Sequence, residues 1–174
     1  MTDGDNNLGA GKRVAKNAET RLLREWISAR YPSALVFYEL RLGPTDRSLV
    51  GRTVTPELER MLRVANWYAD AVILSDTEGL IVEAKVEPKP RAVGEVLWYF
   101  NLYFSTPELQ PYLQTPFTPV VLFGERDARF EVWARSLGVR VEVFTPDWIA
   151  DYLTRIQFRG RGSRSASTPA ANQV

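Results

Sequence analysis

The chain of 174 residues contains neither cysteine nor histidine. Without cysteine, disulfides, thiolate nucleophiles, zinc–thiolate sites and iron–sulfur clusters are excluded. Without histidine, Ser-His-Asp triads, histidine-ligated zinc and every histidine general base are excluded as well. Any catalysis by this protein must therefore use carboxylates, lysine, arginine, tyrosine, hydroxyl groups or a hard metal ion.

The sequence also has no apolar run as long as a membrane span, and its first residues lack the basic-then-apolar layout of a signal peptide. We therefore expect a cytoplasmic protein without a membrane partner. Apolar residues make up 45% of the chain and charged residues 25%, as in ordinary globular proteins. The formal net charge is +1, so the total charge gives no argument for attraction to nucleic acid.

Apolar periodicity divides the chain into three parts. Residues 1–14 are polar and rich in Gly and Asn, which predicts a flexible arm. Residues 15–158 predict one domain with the element order αβββαβαβα. Residues 159–174 are dominated by Gly, Ser, Arg and Ala, which predicts a disordered basic tail. Because the last two strands alternate with helices, we expect them to be parallel.

Charged residues interrupt the most apolar part of the chain. Two β-branched runs, residues 67–74 and 80–86, flank a polar turn and predict a β-hairpin. Such strands are normally buried, yet the first carries Asp70 and the second carries Glu83 and Lys85. Glu83 and Lys85 are two residues apart, so in a strand they point to the same face.

The pairing register decides whether Asp70 joins this pair. A register that sets Asp70 opposite Glu83 brings the three charges together. It requires an asymmetric turn or a bulge, since pairing Leu74 with Leu80 would set Asp70 opposite Ala84. Two carboxylates about 4 Å apart repel by roughly 4 kcal/mol at an effective dielectric near 20, so a cation between them is expected. The neighbouring lysine offers one charge, and Mg²⁺ fits better because it takes carboxylates together with water and phosphate oxygens.

Asp70 followed by Glu83-Ala84-Lys85 across a hairpin resembles the active-site motif of the PD-(D/E)XK nuclease superfamily, which has the restriction-endonuclease-like fold. Ala69 stands where that family's name has proline. The resemblance covers roughly residues 15–145, and the order of helices and strands agrees with it. It implies an α/β protein with a restriction-endonuclease-like core, in which helices flank a mixed central β-sheet.

The resemblance also implies a function, which is metal-dependent hydrolysis of phosphodiester bonds. The carboxylates of Asp70 and Glu83 and the backbone carbonyl of Ala84 would hold Mg²⁺ or Mn²⁺, and the ion would activate a water molecule. Lys85 would position that water and stabilise developing charge. Relatives often carry a glutamate on the first helix that faces the metal site, and Glu19 is assigned this position here, where it would complete the outer shell of the metal or hold a second ion. The alternative for Glu19 is a solvated glutamate paired with a nearby basic residue.

DNA is the expected partner, although the sequence does not choose between DNA and RNA. The candidate phosphate contacts are basic residues close to the hairpin in sequence: Arg52, Arg60, Arg63, Lys89 and Arg91. A scattered, solvated set of charges is the alternative for these residues. In the resembled family, the helix after the hairpin often carries Gln and Tyr. This chain has Glu95 where Gln is expected, and we expect the helix's aromatic residues to lie mainly in the core.

Two other interpretations stay open. The charged residues of the hairpin could form an ordinary salt-bridged patch on a solvated sheet face. The nuclease fold could also be catalytically silent and serve as a nucleic-acid-binding or assembly module, for example in a phage or mobile-element complex. Many relatives dimerise to cut two strands, so a homodimer is among the expected partners, but no part of the sequence identifies a dimer surface.

Overall fold

The structure of the protein is a computed structural model, which describes residues 5–44 and 67–162, with side chains over 14–44 and 67–156. Within these ranges the elements are helix α1 (Asp5–Arg30), strands β1 (Leu35–Leu42), β2 (Trp67–Leu74) and β3 (Gly79–Lys85), helix α2 (Pro90–Leu102), strand β4 (Phe117–Phe123), helix α3 (Ala128–Ser136), strand β5 (Arg140–Val143) and helix α4 (Trp148–Gly162). The predicted order of helices and strands is confirmed for the described residues. Two short 3₁₀ helices, Tyr103–Ser105 and Pro107–Tyr112, connect α2 to β4.

Helix boundaries differ from the prediction at both ends of the chain. Helix α1 begins at Asp5, so residues 5–14, which the polar composition assigned to a flexible arm, are helical. Adding turns to an existing helix costs far less than nucleating one. Helix α4 likewise continues to Gly162, beyond the end predicted for the domain at residue 158.

The chain divides into two compact units, residues 1–144 and 145–174. The first unit contains the whole sheet and helices α1 to α3. The second contains α4. No helix in the described ranges combines the length and apolarity that a bilayer span requires.

The five strands form one mixed sheet in the order β1-β2-β3-β4-β5. Strands β1, β2 and β3 pair antiparallel, and the predicted hairpin is therefore confirmed as β2–β3. Strands β3, β4 and β5 pair parallel, which confirms the expected parallel pair at the end of the sheet. A short loop suffices for an antiparallel pair, whereas parallel neighbours need crossovers, which α2 and α3 provide here.

Helices cover the sheet because apolar side chains occupy both of its faces. Helix α2 starts at Pro90, a favoured first residue, and buries one stripe that includes Val93 and Val96. This stripe packs in one cluster with Ile81 of β3 and with residues of β4. Leu80 and Val82 point to the opposite face and are also buried.

Helix α1 contributes the second apolar surface. Its side chains Leu22, Leu23, Trp26 and Ile27 are at most 5% exposed, and the helix contacts β3. The mixed sheet is thus flanked by helices, and its central strand β3 is almost fully enclosed.

Close packing at the start of β3 requires a glycine. Gly79 pairs with Leu74 of β2 on one side and with Phe117 of β4 on the other. A Cβ atom at residue 79 would lie 2.6 Å from the Cδ1 and Cε1 atoms of the Phe117 ring. Only glycine leaves room for the ring at this position.

We predict that Gly79→Ala lowers the free energy of unfolding by about 1–3 kcal/mol, because the Phe117 ring must shift within a packed core. Denaturant unfolding followed by circular dichroism measures this change. Combining Gly79→Ala with Phe117→Leu should recover part of the loss. Gly94→Ala is the matched control, since a Cβ there meets nothing within 4 Å. In the exposed interior of α2 this control should stabilise by roughly 0.5–1 kcal/mol. Equal destabilisation by both glycine substitutions would contradict the packing explanation.

Candidate functional site

The register of the β2–β3 hairpin brings the acidic residues into line. Leu74 pairs with Gly79, and Ala71 pairs with Val82. Continued by one residue, this register sets Asp70 opposite Glu83. The expectation that such a register needs an asymmetric turn or a bulge was wrong, because β3 begins at residue 79 and not at residue 80.

A hydrogen-bonded loop of four residues holds this register. The backbone N–H of Ser75 donates to the carbonyl of Glu78 at 3.0 Å, and the N–H of Glu78 donates to Ser75 Oγ at 3.1 Å. The Glu78 carboxylate accepts two hydrogen bonds from the guanidinium of Arg140 on β5, at 3.0 and 2.7 Å. This bidentate pair also lowers the pKa of Glu78.

Asp70 is fixed by the strand beside it. Its Oδ2 atom accepts the backbone N–H of Ala84 at 2.9 Å. This bond directs the carboxylate towards β3, where the side chain of Glu83 is only 5% exposed. The two carboxyl groups therefore share a poorly solvated end of the hairpin.

Lys85 provides the cation of the cluster. Its Nζ atom donates to Glu83 Oε1 at 2.5 Å and to the carbonyl of Ala84 at 3.2 Å. It also lies 3.9 Å from Oε2 of Glu19, which projects from α1. The structure thus places all four predicted catalytic residues, Glu19, Asp70, Glu83 and Lys85, in one cluster.

One ammonium group faces three carboxyl groups, and the pKa values reflect the excess of negative charge. Burial and the charge of Asp70 raise the pKa of Glu83 to about 8. Burial also raises the pKa of Asp70 and of Glu19, although Lys85 acts in the opposite direction on both. Burial opposes the charge of Lys85, but the neighbouring carboxylates, Glu83 first, raise its pKa overall. Lys85 neutralises the charge of one carboxylate. A further positive charge would reduce the repulsion between the other carboxyl groups.

Tyr99 of α2 lies at the site, although the aromatic residues of this helix were expected to lie mainly in the core. It is buried among the apolar residues of α2, as expected, but its side chain also lines a cavity of about 320 Å³ together with Asp70 and Glu83. Burial, followed by the charges of Glu83 and Glu95, raises the pKa of the Tyr99 hydroxyl. Tyr99 therefore stays protonated and can donate a hydrogen bond into the cavity.

Glu39 on β1 is a second residue that the sequence did not single out. Its neighbours Tyr38 and Leu40 pair with Ala71 and Ala69, on either side of Asp70, and Glu39 lines the same cavity as Asp70 and Glu83. Its φ of 47° is left-handed, which costs roughly 1–2 kcal/mol for a residue with a Cβ. Its carboxylate pairs with Lys16 Nζ of α1 at 2.8 Å. The signal in the sequence is an acidic residue inside an apolar strand, the same signal that identified Asp70.

The structure describes two of the five predicted phosphate contacts, Lys89 and Arg91. The other three, Arg52, Arg60 and Arg63, lie outside the described residues. Lys89 and Arg91 are exposed near the start of α2. Lys89 Nζ lies 3.8 Å from Glu87, and Arg91 Nε lies 2.6 Å from Glu95. Neither lines the cavity at Asp70, although the charge of Lys89 lowers the pKa of Glu19.

The oxygen atoms of the cluster suit a hard divalent cation. Mg²⁺ commonly binds one or two carboxylates and completes its shell with water, and two carboxylates and the Ala84 carbonyl are present here. Within residues 14–44 and 67–156, no three acidic side chains lie close enough to form a metal-binding group on their own. Lys85 already contacts Glu83 Oε1 and the Ala84 carbonyl, so its ammonium and a metal ion would compete for the same atoms.

Comparisons with known proteins do not assign the chain to a family. No protein-family model matches it, and no curated protein matches it. A solved structure that resembles it is the crystal structure of a protein of unknown function, AF1548, with a TM-score of 0.39 and 12% sequence identity. The likeness covers 74% of this chain and 56% of that protein. So distant a likeness carries no argument, and the function must be inferred from the site itself.

We predict that neutralising Asp70 stabilises the protein at alkaline pH. Carboxyl groups with raised pKa values hold protons in the folded state that the unfolded state has already released. The free energy of unfolding should therefore fall as the pH rises from about 4.5 to about 8. Asp70→Asn keeps an acceptor for the Ala84 N–H, removes the repulsion and should raise stability at pH 8 by about 1–2 kcal/mol.

The measurement is denaturant unfolding in EDTA across this pH range. Asp76→Asn, an exposed acid in the hairpin loop, is the control and should change stability by less than about 0.5 kcal/mol. A wild-type protein whose stability rises from acid to alkaline pH, or an Asp70→Asn variant that is no more stable, would show that the cluster is electrostatically balanced.

Proposed function

We propose that the protein is a metal-dependent nuclease of the PD-(D/E)XK type that hydrolyses phosphodiester bonds of DNA with Mg²⁺ or Mn²⁺. The observation that carries the proposal is the alignment of Asp70 with Glu83 on adjacent strands, with Lys85 bonded to Glu83. The mixed sheet with its flanking helices is compatible with a restriction-endonuclease-like core. The types of the charged residues, their spacing and their placement on adjacent strands of this sheet support the proposal.

Asp70, Glu83 and the Ala84 carbonyl are the groups that would hold the metal ion. When bound, the ion supplies a water of lowered pKa and neutralises charge on the phosphate. The Ala84 N–H keeps Asp70 oriented for this role. Burial keeps the competing solvent away from Glu83, which strengthens every electrostatic contact in the cluster.

Glu19, Lys85 and Tyr99 would accept the proton of the attacking water and stabilise the charge that develops on the phosphate. The chain has no histidine, and the raised pKa values of Lys85 and Tyr99 keep both groups protonated, so the proton of the attacking water would pass to a carboxylate or to solvent. Glu19 suits this role, since burial raises its pKa and its Oε2 lies 3.9 Å from Lys85. Lys85 carries the positive charge that stabilises the oxygens of the phosphate, and the Tyr99 hydroxyl adds a donor from the cavity wall.

A catalytically silent module is the second candidate, and one observation favours it. The polar atoms of the cluster already partner one another, because Ala84 N–H binds Asp70 and Lys85 binds both Glu83 and the Ala84 carbonyl. A nucleic-acid-binding module needs no metal ligands, so side chains that bond only to one another would suffice for it. Metal binding therefore separates the two candidates before any substrate is added.

We predict that Mn²⁺ raises the thermal unfolding midpoint of the wild type and not that of Asp70→Asn. At a free concentration about 100 times the Kd, the stabilisation is about 2.7 kcal/mol. Lys85→Met should bind Mn²⁺ at least as tightly as the wild type, because its ammonium no longer competes for Glu83 and Ala84. Isothermal titration gives the same comparison directly. A wild type that binds neither Mn²⁺ nor Mg²⁺ would favour the silent module.

We further predict that purified protein cleaves DNA in the presence of Mg²⁺ or Mn²⁺, and that Asp70→Asn, Glu83→Gln and Lys85→Met each lower the rate by about 10²-fold or more. Linear, circular, single-stranded and branched DNA serve as substrates. Asp76→Asn, purified in parallel, should retain full activity. Cleavage that persists in all three site variants would point to a contaminant or to a different site.

A further inference from the structure

The outer side of α2 lacks the charged side chains that a helix normally presents to water. From Val96 to Pro107 the chain contains no charged residue. The buried stripe of α2 accounts for part of this run, but Trp98 and Phe104 are 48% and 59% exposed. A surface helix usually carries charged or polar residues opposite its buried stripe. The core of this chain therefore does not explain why the outer side of α2 is apolar.

Six residues form this uncharged area, which we call the α2 surface: Trp67, Gly94, Leu97, Trp98, Asn101 and Phe104. Four of them follow one another along α2 at intervals of three, one and three residues, which places them on one face of the helix. Phe104 comes three residues later, in the 3₁₀ turn that follows α2. Trp67 of β2 extends the area sideways, since its ring centre lies 5.9 Å from that of Trp98.

The size of the α2 surface is that of an interaction site. Trp67 is 47% exposed, so the three large rings together leave roughly 250–400 Å² of aromatic area in solvent. Apolar patches of about 300–600 Å² on monomers often have a binding function. Two copies of the surface would bring roughly 500–800 Å² of aromatic area towards the 1,000 Å² or so that a small specific interface buries.

The α2 surface contains both a projecting ring and an open space. Phe104 is its most exposed aromatic side chain, whereas a Cβ atom at Gly94 would meet nothing within 4 Å. A glycine within an exposed helix lowers stability by roughly 0.5–1 kcal/mol relative to alanine, and no described neighbour of Gly94 uses the space. Phe104 and Gly94 lie on opposite sides of Asn101 along the chain. The surface is therefore complementary in shape to a second, reversed copy of itself.

Opposite charges stand at the two ends of the α2 surface. Arg91 lies three residues before Gly94, and its side chain is 84% exposed, whereas Glu95, its partner at 2.6 Å, is only 15% exposed. Glu108 lies four residues after Phe104 and is exposed. A two-fold axis exchanges the ends of a surface, so the arginine of one copy would face the glutamate of the other on both sides.

We propose that the α2 surface binds a second copy of this chain, in a symmetric dimer whose two α2 helices run antiparallel about a two-fold axis between Leu97 and Asn101. Phe104 of one copy lies over Gly94 of the other in this arrangement. An uncharged centre gives an unrelated partner little electrostatic guidance, whereas the ring, the space and the charged ends all match a second copy. None of the six residues lines the cavity at Asp70 and Glu83, so the proposal is independent of the nuclease function.

Sedimentation equilibrium of the full chain tests the dimer. We expect a reversible monomer–dimer equilibrium for the wild type between low and high micromolar concentration. Trp98→Ala removes the central ring, and Gly94→Leu fills the space that receives Phe104. Each should raise the dissociation constant by about tenfold or more. Trp133→Ala is the matched control, since Trp133 of α3 is 42% exposed, and it should leave the dissociation constant unchanged.

An exchange of charges tests the two-fold arrangement. Arg91→Glu would set two acidic residues against each other at both ends of the interface, and Glu108→Arg would set two arginines there. Each variant alone should dimerise about threefold more weakly or worse. An equimolar mixture of the two variants restores opposite charges at both ends, so it should associate as tightly as the wild type.

Several results would overturn the proposal. The first is a wild type that remains monomeric at the highest concentration. The others are a dimer that Trp98→Ala and Gly94→Leu leave intact, a dimer that Trp133→Ala weakens equally, and a mixture of charge variants that associates no better than either variant alone. Thermal unfolding midpoints no more than about 2 °C below that of the wild type show that each variant is folded.

Discussion

The pairing of Leu74 with Gly79 is the contact on which the acidic cluster depends. A slip of one residue would turn every side chain of one strand to the other face, so Asp70 would lose both Glu83 and the N–H of Ala84. Two features prevent this slip. The loop closes through Ser75 and Glu78, and a side chain at residue 79 would collide with the Phe117 ring. The geometry of the cluster is therefore determined by the turn and by β4, which carry none of its chemistry.

The cluster illustrates how a fold retains charges that do not stabilise it. Burial raises the pKa values of Asp70 and Glu83, which means that the folded protein disfavours their ionised forms. Whole domains are stable by only about 5–15 kcal/mol, so a repulsion of a few kcal/mol is a substantial fraction of the total. The apolar helices on both faces of the sheet supply the compensating stability. An arrangement of this kind is expected where a bound cation completes the charge balance.

Much of the fold could be predicted because its signals are local. The order of elements and the hairpin follow from apolar periodicity, and Asp70, Glu83 and Lys85 were found because charges interrupt buried strands. Other features depend on contacts that are distant in sequence. Glu39 comes near Asp70 only through the β1–β2 pairing, and Tyr99 lines the cavity only because α2 packs against the sheet. The start of β3 was misplaced by one residue because a glycine reads as part of a turn, although packing against Phe117 requires it within the strand.

The bond between Arg140 and Glu78 affects when the hairpin loop is anchored during folding. The two residues are 62 positions apart, and the arginine belongs to the fifth and last strand of the sheet. During synthesis, the hairpin emerges from the ribosome well before its loop can be anchored. Contacts of such long range form late and slowly. A nascent chain that ends before β5 would carry the acidic side chains without the bond that anchors the hairpin loop to the rest of the sheet.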